Sequence, residues 1–209
     1  MRNKVKPVLT GFFFLLHSIF LKADGSYIDS IISKNNFYNY EFFFIKSLKL
    51  FSGELIGNIN GKIVLTEDST KLYLVDKNKS FVIGYNRKGV FEERDGKKIY
   101  QKNISLLKDL EITTTLNPMS KLKNTKYTLK ENCFDFFPVN GKVDKVKIFF
   151  TKNFLYDSIF FIKGIDTVMS TFYRYDDKFF PVEITTYDRL KGIVENIKNY
   201  RIKTIDFFK

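Results

Sequence analysis

The residues able to carry a reaction are few and poorly spaced for one. Glu92-Glu93 and Asp176-Asp177 are adjacent carboxylates, the residue type that general acid and base catalysis uses. Neighbours in a strand point to opposite faces and neighbours in a turn are solvated, so neither pair converges on a substrate. Cys133 is the one cysteine and His17 the one histidine among 209 residues. A single cysteine can form neither an intramolecular disulfide nor a thiolate metal cluster, and its ordinary role is that of a small buried apolar side chain. A serine or cysteine triad needs a histidine partner, and the glycine-containing turns lack phosphate-loop spacing. No enzyme, metal or cofactor is expected, and the remaining chemistry is that of apolar surface.

That surface is laid out with strand periodicity. In the stretch from Glu54 to Leu65, Leu55, Gly57, Ile59, Gly61, Ile63 and Leu65 share one parity, and Ile56, Asn58, Asn60, Lys62 and Val64 the other. One face is consistently apolar and the opposite face mixed. Short runs follow at Leu72–Val75, Phe81–Tyr85, Val90–Glu93 and Lys98–Gln101, separated by Asp76-Lys77-Asn78-Lys79, Asn86-Arg87-Lys88-Gly89 and Asp95-Gly96. Links this brief join antiparallel neighbours only, because a parallel crossover needs about a dozen residues or more. Ahead of them, Phe37–Phe51 reads as a long strand with Tyr38, Tyr40, Phe42, Phe44, Leu48 and Leu50 on one side, broken by Lys46. Strands resume at Tyr127–Leu129, Phe134–Val139, Val143–Phe150, Leu155–Lys163, Thr167–Tyr175, Val182–Tyr187 and Ile193–Ile202, again with hairpin-sized links. Ten or more strands exceed what a flat layer tolerates, so the sheet is expected to curl toward a half or full barrel.

Two short helices accompany the strands. Ser26 stands three residues before Asp29 in a capping arrangement, and Tyr27, Ile28, Ile31 and Ile32 recur at helical spacing until Asn35-Asn36. A second helix is expected around Ile104, Leu106, Leu107 and Leu110. The segment from Lys121 to Lys130 is the most basic local run, either a solvated face or a contact for a polyanion or membrane.

The N-terminus has its own logic. Arg2, Lys4 and Lys6 precede an apolar run from Val8 to Leu21, and Ala23 is followed by Asp24. Basic start, short apolar run and small residue are the parts of a secretory signal, with cleavage expected after Ala23; an uncleaved anchor is the competing reading. Removal of residues 1–23 takes four positive charges away, lowers the net charge from +12 to +8, and removes the only histidine. Residues 24–209 then form one domain, since 44% hydrophobic and 28% charged residues suffice for a single core.

The order of elements resembles the bacterial outer-membrane lipoprotein carrier proteins, LolA and the LolA-like lipoprotein-sorting proteins. The likeness runs through Gly61-Lys62-Ile63-Val64-Leu65, Lys71-Leu72-Tyr73, Ser80 to Ile83 and Asn86 to Phe91. Later it continues in Tyr127 to Asn132, Asp135-Phe136-Phe137, Phe180-Pro181-Val182 and Asn199-Tyr200-Arg201-Ile202. It departs from the family where Glu67-Asp68 replace Arg-Pro, and where Tyr73 and Phe91 stand in place of Trp. No cysteine lies at the cleavage point, so the chain is similar to the soluble carrier and not to the lipid-anchored receptor LolB. The resemblance implies a mainly β fold: a curled antiparallel sheet forming an unclosed barrel, with short helices as a lid over an apolar concave face. It further implies a monomeric periplasmic carrier for the acyl chains of lipoproteins, loaded by an inner-membrane lipoprotein-releasing transporter and unloaded to an unspecified outer-membrane acceptor, without nucleic acid.

The expected lid residues are Ile28, Ile31 and Ile32, and the expected lining is Phe42, Phe44, Ile63, Leu65, Leu72, Leu74, Phe160 and Ile162. The physics agrees with such a role, because each acyl methylene kept from water is worth about 0.8 kcal/mol. Two alternatives share the charge and the fold. One is a periplasmic lipid- or lipoprotein-sensing regulator of the RseB-like kind, for which a further domain would be expected. The other is a basic binder of envelope polyanions, distinguished by steep loss of binding with salt.

Overall fold

The computed structural model describes residues 28–66, 69–76, 79–94, 96–100, 122, 125–138 and 143–205. The signal segment, the helix expected around Ile104, the Glu67-Asp68 departure, and Lys121 and Lys123 lie outside these residues. Among the described residues a helix spans 28–34, and one sheet holds thirteen strands, one for each run read from the sequence.

The first half of the sheet is β1 (Tyr40–Leu50), β2 (Leu55–Leu65), β3 (Ser69–Asp76), β4 (Lys79–Asn86), β5 (Gly89–Arg94) and β6 (Lys97–Tyr100). The second half is β7 (Tyr127–Lys130), β8 (Cys133–Phe136), β9 (Lys145–Phe150), β10 (Tyr156–Lys163), β11 (Asp166–Tyr175), β12 (Pro181–Asp188) and β13 (Ile193–Thr204). Their spatial order is β6-β5-β4-β3-β2-β1-β13-β12-β11-β10-β9-β8-β7, every pair antiparallel. Each half is a meander, and the first and last strands of the chain, β1 and β13, join the halves through a register from Tyr40↔Thr204 to Leu50↔Ile193. β6 and β7 are the two edges, so the barrel is unclosed.

The first strand begins three residues later than its aromatic alternation predicts. Asn39 adopts φ +68°, its amide donates to the Leu65 carbonyl at 2.7 Å, and its carbonyl accepts from Ile205 at 2.8 Å. Asparagine tolerates this left-handed conformation better than most residues. The turn swings Phe37 out of the strand and into the core, edge-on to Phe42 at 5.7 Å. β8 ends at Phe136, before the predicted Val139, and the Phe137 amide extends its pairing with β7 by one bond, to the Lys126 carbonyl at 2.9 Å.

On the convex face, cross-strand ion pairs line the central strands. Glu183 on β12 accepts from Asn196 at 2.9 Å and from Arg174 at 2.9 Å, and Lys198 stands 3.7 Å away. The Asn196 hydrogen bond foremost, partly opposed by burial and joined by Arg174, holds its carboxyl below the ordinary 4.5. A carboxyl depressed by folding stabilises fully above its unfolded value and loses that contribution as pH falls through the folded one. Glu183→Gln should therefore lower the thermal midpoint slightly at neutral pH and flatten the loss of stability below pH 4.5, so that variant and parent converge in acid, as read from thermal midpoints across an acid titration.

Candidate functional site

The side chains that face inward from the curled sheet form two apolar clusters. One comprises Phe42 and Phe44 of β1, Ile63 and Leu65 of β2, Leu72 and Ile83, closed from the far side by Ile184 and Ile197. The other gathers Phe134, Phe136, Val146, Ile148, Phe150, Tyr156 and Ile159 of β8–β10, with Ile28 and Ile31 of the helix resting on them. Tyr173 packs against both and makes the concave lining continuous from one wing to the other. Burial, with Tyr175 and Tyr156 beside it, raises its phenol well above the ordinary range, so the hydroxyl stays neutral at any physiological pH.

Register explains where the apolar lining stops. Ile197 pairs with Ile184, and Ile184 with Tyr173, giving a greasy row across β13, β12 and β11. The next inward row is Glu195, Thr186 and Thr171. Glu195 meets Lys46 at 2.8 Å, and the two threonine hydroxyls lie 3.0 Å apart. Lys46, the interruption in the aromatic stripe, is thus neutralised at a polar border of the concave face.

One buried side chain fastens the C-terminal end of the helix to the sheet. Asn35 is 1% exposed; its Nδ2 donates to the Ile31 carbonyl at 2.8 Å and to the Phe154 carbonyl at 2.7 Å, and its Oδ1 accepts from the Tyr156 amide at 3.4 Å. A buried amide with its donors and acceptor satisfied works as a latch between the C-terminus of the helix and the turn joining β9 to β10. In the sequence Asn35 marks only the stop of the helix.

The expected lid and lining residues fall in three groups. Ile28 and Ile31 are buried in the β8–β10 wing and Ile32 packs against it. Phe42, Phe44, Ile63, Leu65 and Leu72 are buried together in the β1–β4 wing, with Leu74 packed on them. Phe160 and Ile162 belong to neither cluster. Phe160 instead stands on the convex face, edge-on to Phe149 and Phe172 at 5.8 Å each, while its neighbours Ile159 and Phe161 turn inward. Ile162 is in register with Lys145.

Cys133 is buried on the convex side of β8. Burial, and then the Asp135 carboxylate, push its thiol up to about 11, which leaves it protonated and unreactive.

A single curled sheet with open edges, an apolar concave face and a helix latched over one wing defines an unclosed half-barrel. Solved structures share this architecture. A LolA superfamily protein from Nitrosomonas europaea aligns with 86% of this chain and 94% of its own, at TM-score 0.56 and 10% identity. An outer membrane lipoprotein-sorting protein domain from Vibrio parahaemolyticus aligns over 88% and 93%, at 0.53 and 8%. A DUF1329 family protein from Desulfovibrio piger aligns over 88% and 94%, at 0.51 and 10%. No family model and no curated protein matches the sequence. The likeness at these identities is one of fold.

Proposed function

We propose that the protein is a periplasmic carrier whose concave face shelters the acyl chains of lipoproteins between the inner and outer membranes, a binding role and not a catalytic one. The observation that carries this reading is the continuous apolar lining, from Leu72 across Phe42, Ile197 and Tyr173 to Ile159, beside a helix whose end is latched by Asn35. The solved relatives of the same fold that are described as LolA-like or as lipoprotein-sorting support it. A cleavable export signal ending at Ala23, delivery by an inner-membrane lipoprotein-releasing transporter and a monomeric state complete the proposal.

Phe42, Phe44, Leu72 and Ile31 have no solvent exposure, so an acyl chain enters only by displacing protein atoms. The latched helix is the element to move, since a lid must open to admit cargo and close to exclude water. Contacts without strong polar anchors also let cargo leave.

The test is capture of a diacylated lipopeptide in solution. Leu74→Asp, at a partly buried lining position, should lower capture about ten-fold with a small change in thermal midpoint. Ile31→Asp and Phe42→Asp should lower it further. Loss of capture only in proportion to loss of folding would mark these residues as plain core. The polyanion alternative has one observation in its favour, the convex-face ring of Phe43 flanked by Lys62, Arg201 and Lys203 at 5.5 to 5.8 Å. Capture by the hollow should be nearly indifferent to salt, whereas binding at that ring should collapse with it.

A further inference from the structure

Turns alternate between the two ends of a meander, and the order β2-β1-β13-β12-β11-β10 sets three hairpins side by side with their turns at the same end. Hydrogen bonds tie them into a row: the Phe51 amide donates to the Gly192 carbonyl and the Arg189 amide to the Val168 carbonyl, both at 3.0 Å. With strands about 4.8 Å apart, successive tips are spaced by about 10 Å. Each tip ends in a large apolar side chain: Phe51 is 52% exposed, Leu190 75% and Ile165 99%. Turn tips are ordinarily polar or glycine, and a single exposed apolar residue needs no explanation, but three in one row do. At the opposite end the turns carry Glu131-Asn132, Lys152-Asn153 and Asp176-Asp177-Lys178, with Phe179 the exception.

Directly beneath the row, on the convex side, Phe51, Phe172, Tyr187 and Val194 line an open groove of about 520 Å³. Exposed Arg189 lines it too, exposed Lys49 is in register with Val194, and exposed Lys163 stands two residues before the Ile165 tip; Arg189 has no carboxylate partner among the described residues. Two of the nearby acids are turned inward onto the turns themselves. Asp144 accepts from the Gly164 amide at 2.6 Å, and Asp188 accepts from the Lys191 amide at 3.1 Å and pairs with its ammonium at 3.0 Å. Exposed Glu54 and Asp166 keep the whole row near neutral, so attraction rests on apolar contact first and on charge second.

We propose that this end of the sheet docks on a phospholipid bilayer, with Phe51, Leu190 and Ile165 entering the acyl boundary, Tyr187 at headgroup level, and Arg189 and Lys163 reaching phosphates. A protein partner would need three rigid pockets matched to three separated tips, whereas a bilayer interface adapts to any row of apolar points. Cations within two residues of each apolar tip, with aromatic rings behind them, are the residue types that anchor a protein at a membrane surface. The surface does not depend on what the concave face holds.

Vesicle flotation tests it, with the chain starting at Asp24, which retains every described residue. The protein should float with phosphatidylcholine vesicles, and more so when a quarter of the lipid is phosphatidylglycerol. F51D/I165D/L190D should lower the bound fraction about ten-fold at an unchanged thermal midpoint, because all three side chains are exposed. Phe179→Asp at the far end should change nothing, and Arg189→Glu should abolish the gain from phosphatidylglycerol. No flotation, equal flotation of the triple variant, or sedimentation showing that the tips join two copies without lipid would overturn the proposal. Lipopeptide capture separates the two ideas: the triple variant should still capture, and Leu74→Asp should still float.

Discussion

Phe44→Ala should destabilise the protein by about 3–5 kcal/mol, the range for truncating a fully buried aromatic side chain. Phe44 has no solvent exposure and lies at the middle of the central strand β1, opposite Gly61 on β2. Its ring covers that glycine: a Cβ built on Gly61 would collide with the ring and come within 2.8 Å of the Tyr73 carbonyl oxygen. The ring therefore occupies the space a side chain would fill, and truncation leaves a cavity bounded by bare backbone. The reverse change has a related cost, since Gly61→Ala forces either the ring or β3 to move, at about 1–3 kcal/mol. The two substitutions share one volume and cannot be additive. With Phe44→Ala in place, the added methyl of Gly61→Ala no longer meets a ring and should cost less than it does alone. Denaturant unfolding of the four proteins measures the coupling, and additive losses would show that the ring does not depend on the glycine.

The same pair shows why the central half of the architecture was legible. Phe42 and Phe44 alternate with Glu41 and Phe43, Ile63 and Leu65 with Lys62 and Val64, and brief turns force antiparallel neighbours, so faces and order follow from period and loop length. β10 offers no such guide. Ile159, Phe160, Phe161 and Ile162 are apolar at both parities, because the convex face here carries an edge-to-face ladder of Phe149, Phe160, Phe172 and Tyr187. A strand greasy on both sides has no period to read, and an irregularity between Tyr156 and Ser158 shifts its pairing with β9 further. The parity chosen from sequence put Phe160 inward, while the inward residues are Ile159 and Phe161. The wing holding the helix was illegible for another reason: Phe134, Phe136, Val146 and Ile148 sit in short strands whose partner, the helix, lies more than a hundred residues away in the chain.

Asn35 belongs to that long-range class, and replacing it should loosen the helix without dissolving the sheet. Its amide contacts residues 119 and 121 positions distant, which no local pattern announces. Asn35→Ala removes both donors and the acceptor of a buried group, a loss of about 2–4 kcal/mol. Asn35→Asp keeps the shape and is the sharper test. An ionised carboxylate there would face the Ile31 and Phe154 carbonyl oxygens with nothing to donate, so burial and both oxygens favour its protonated form and raise its folded pKa. The penalty should be small below about pH 4, where the carboxyl is protonated in both folded and unfolded chains, and grow as pH rises toward neutrality. Hydrogen exchange should show the amides of 28–34 losing protection while those of β1 and β13 keep theirs, because the central pairing does not include the latch. If the helix is the lid of a carrier, Asn35→Ala should also speed lipopeptide uptake and shorten retention. Uniform loss of protection across the sheet would instead make Asn35 part of the fold's foundation and move the opening to another element.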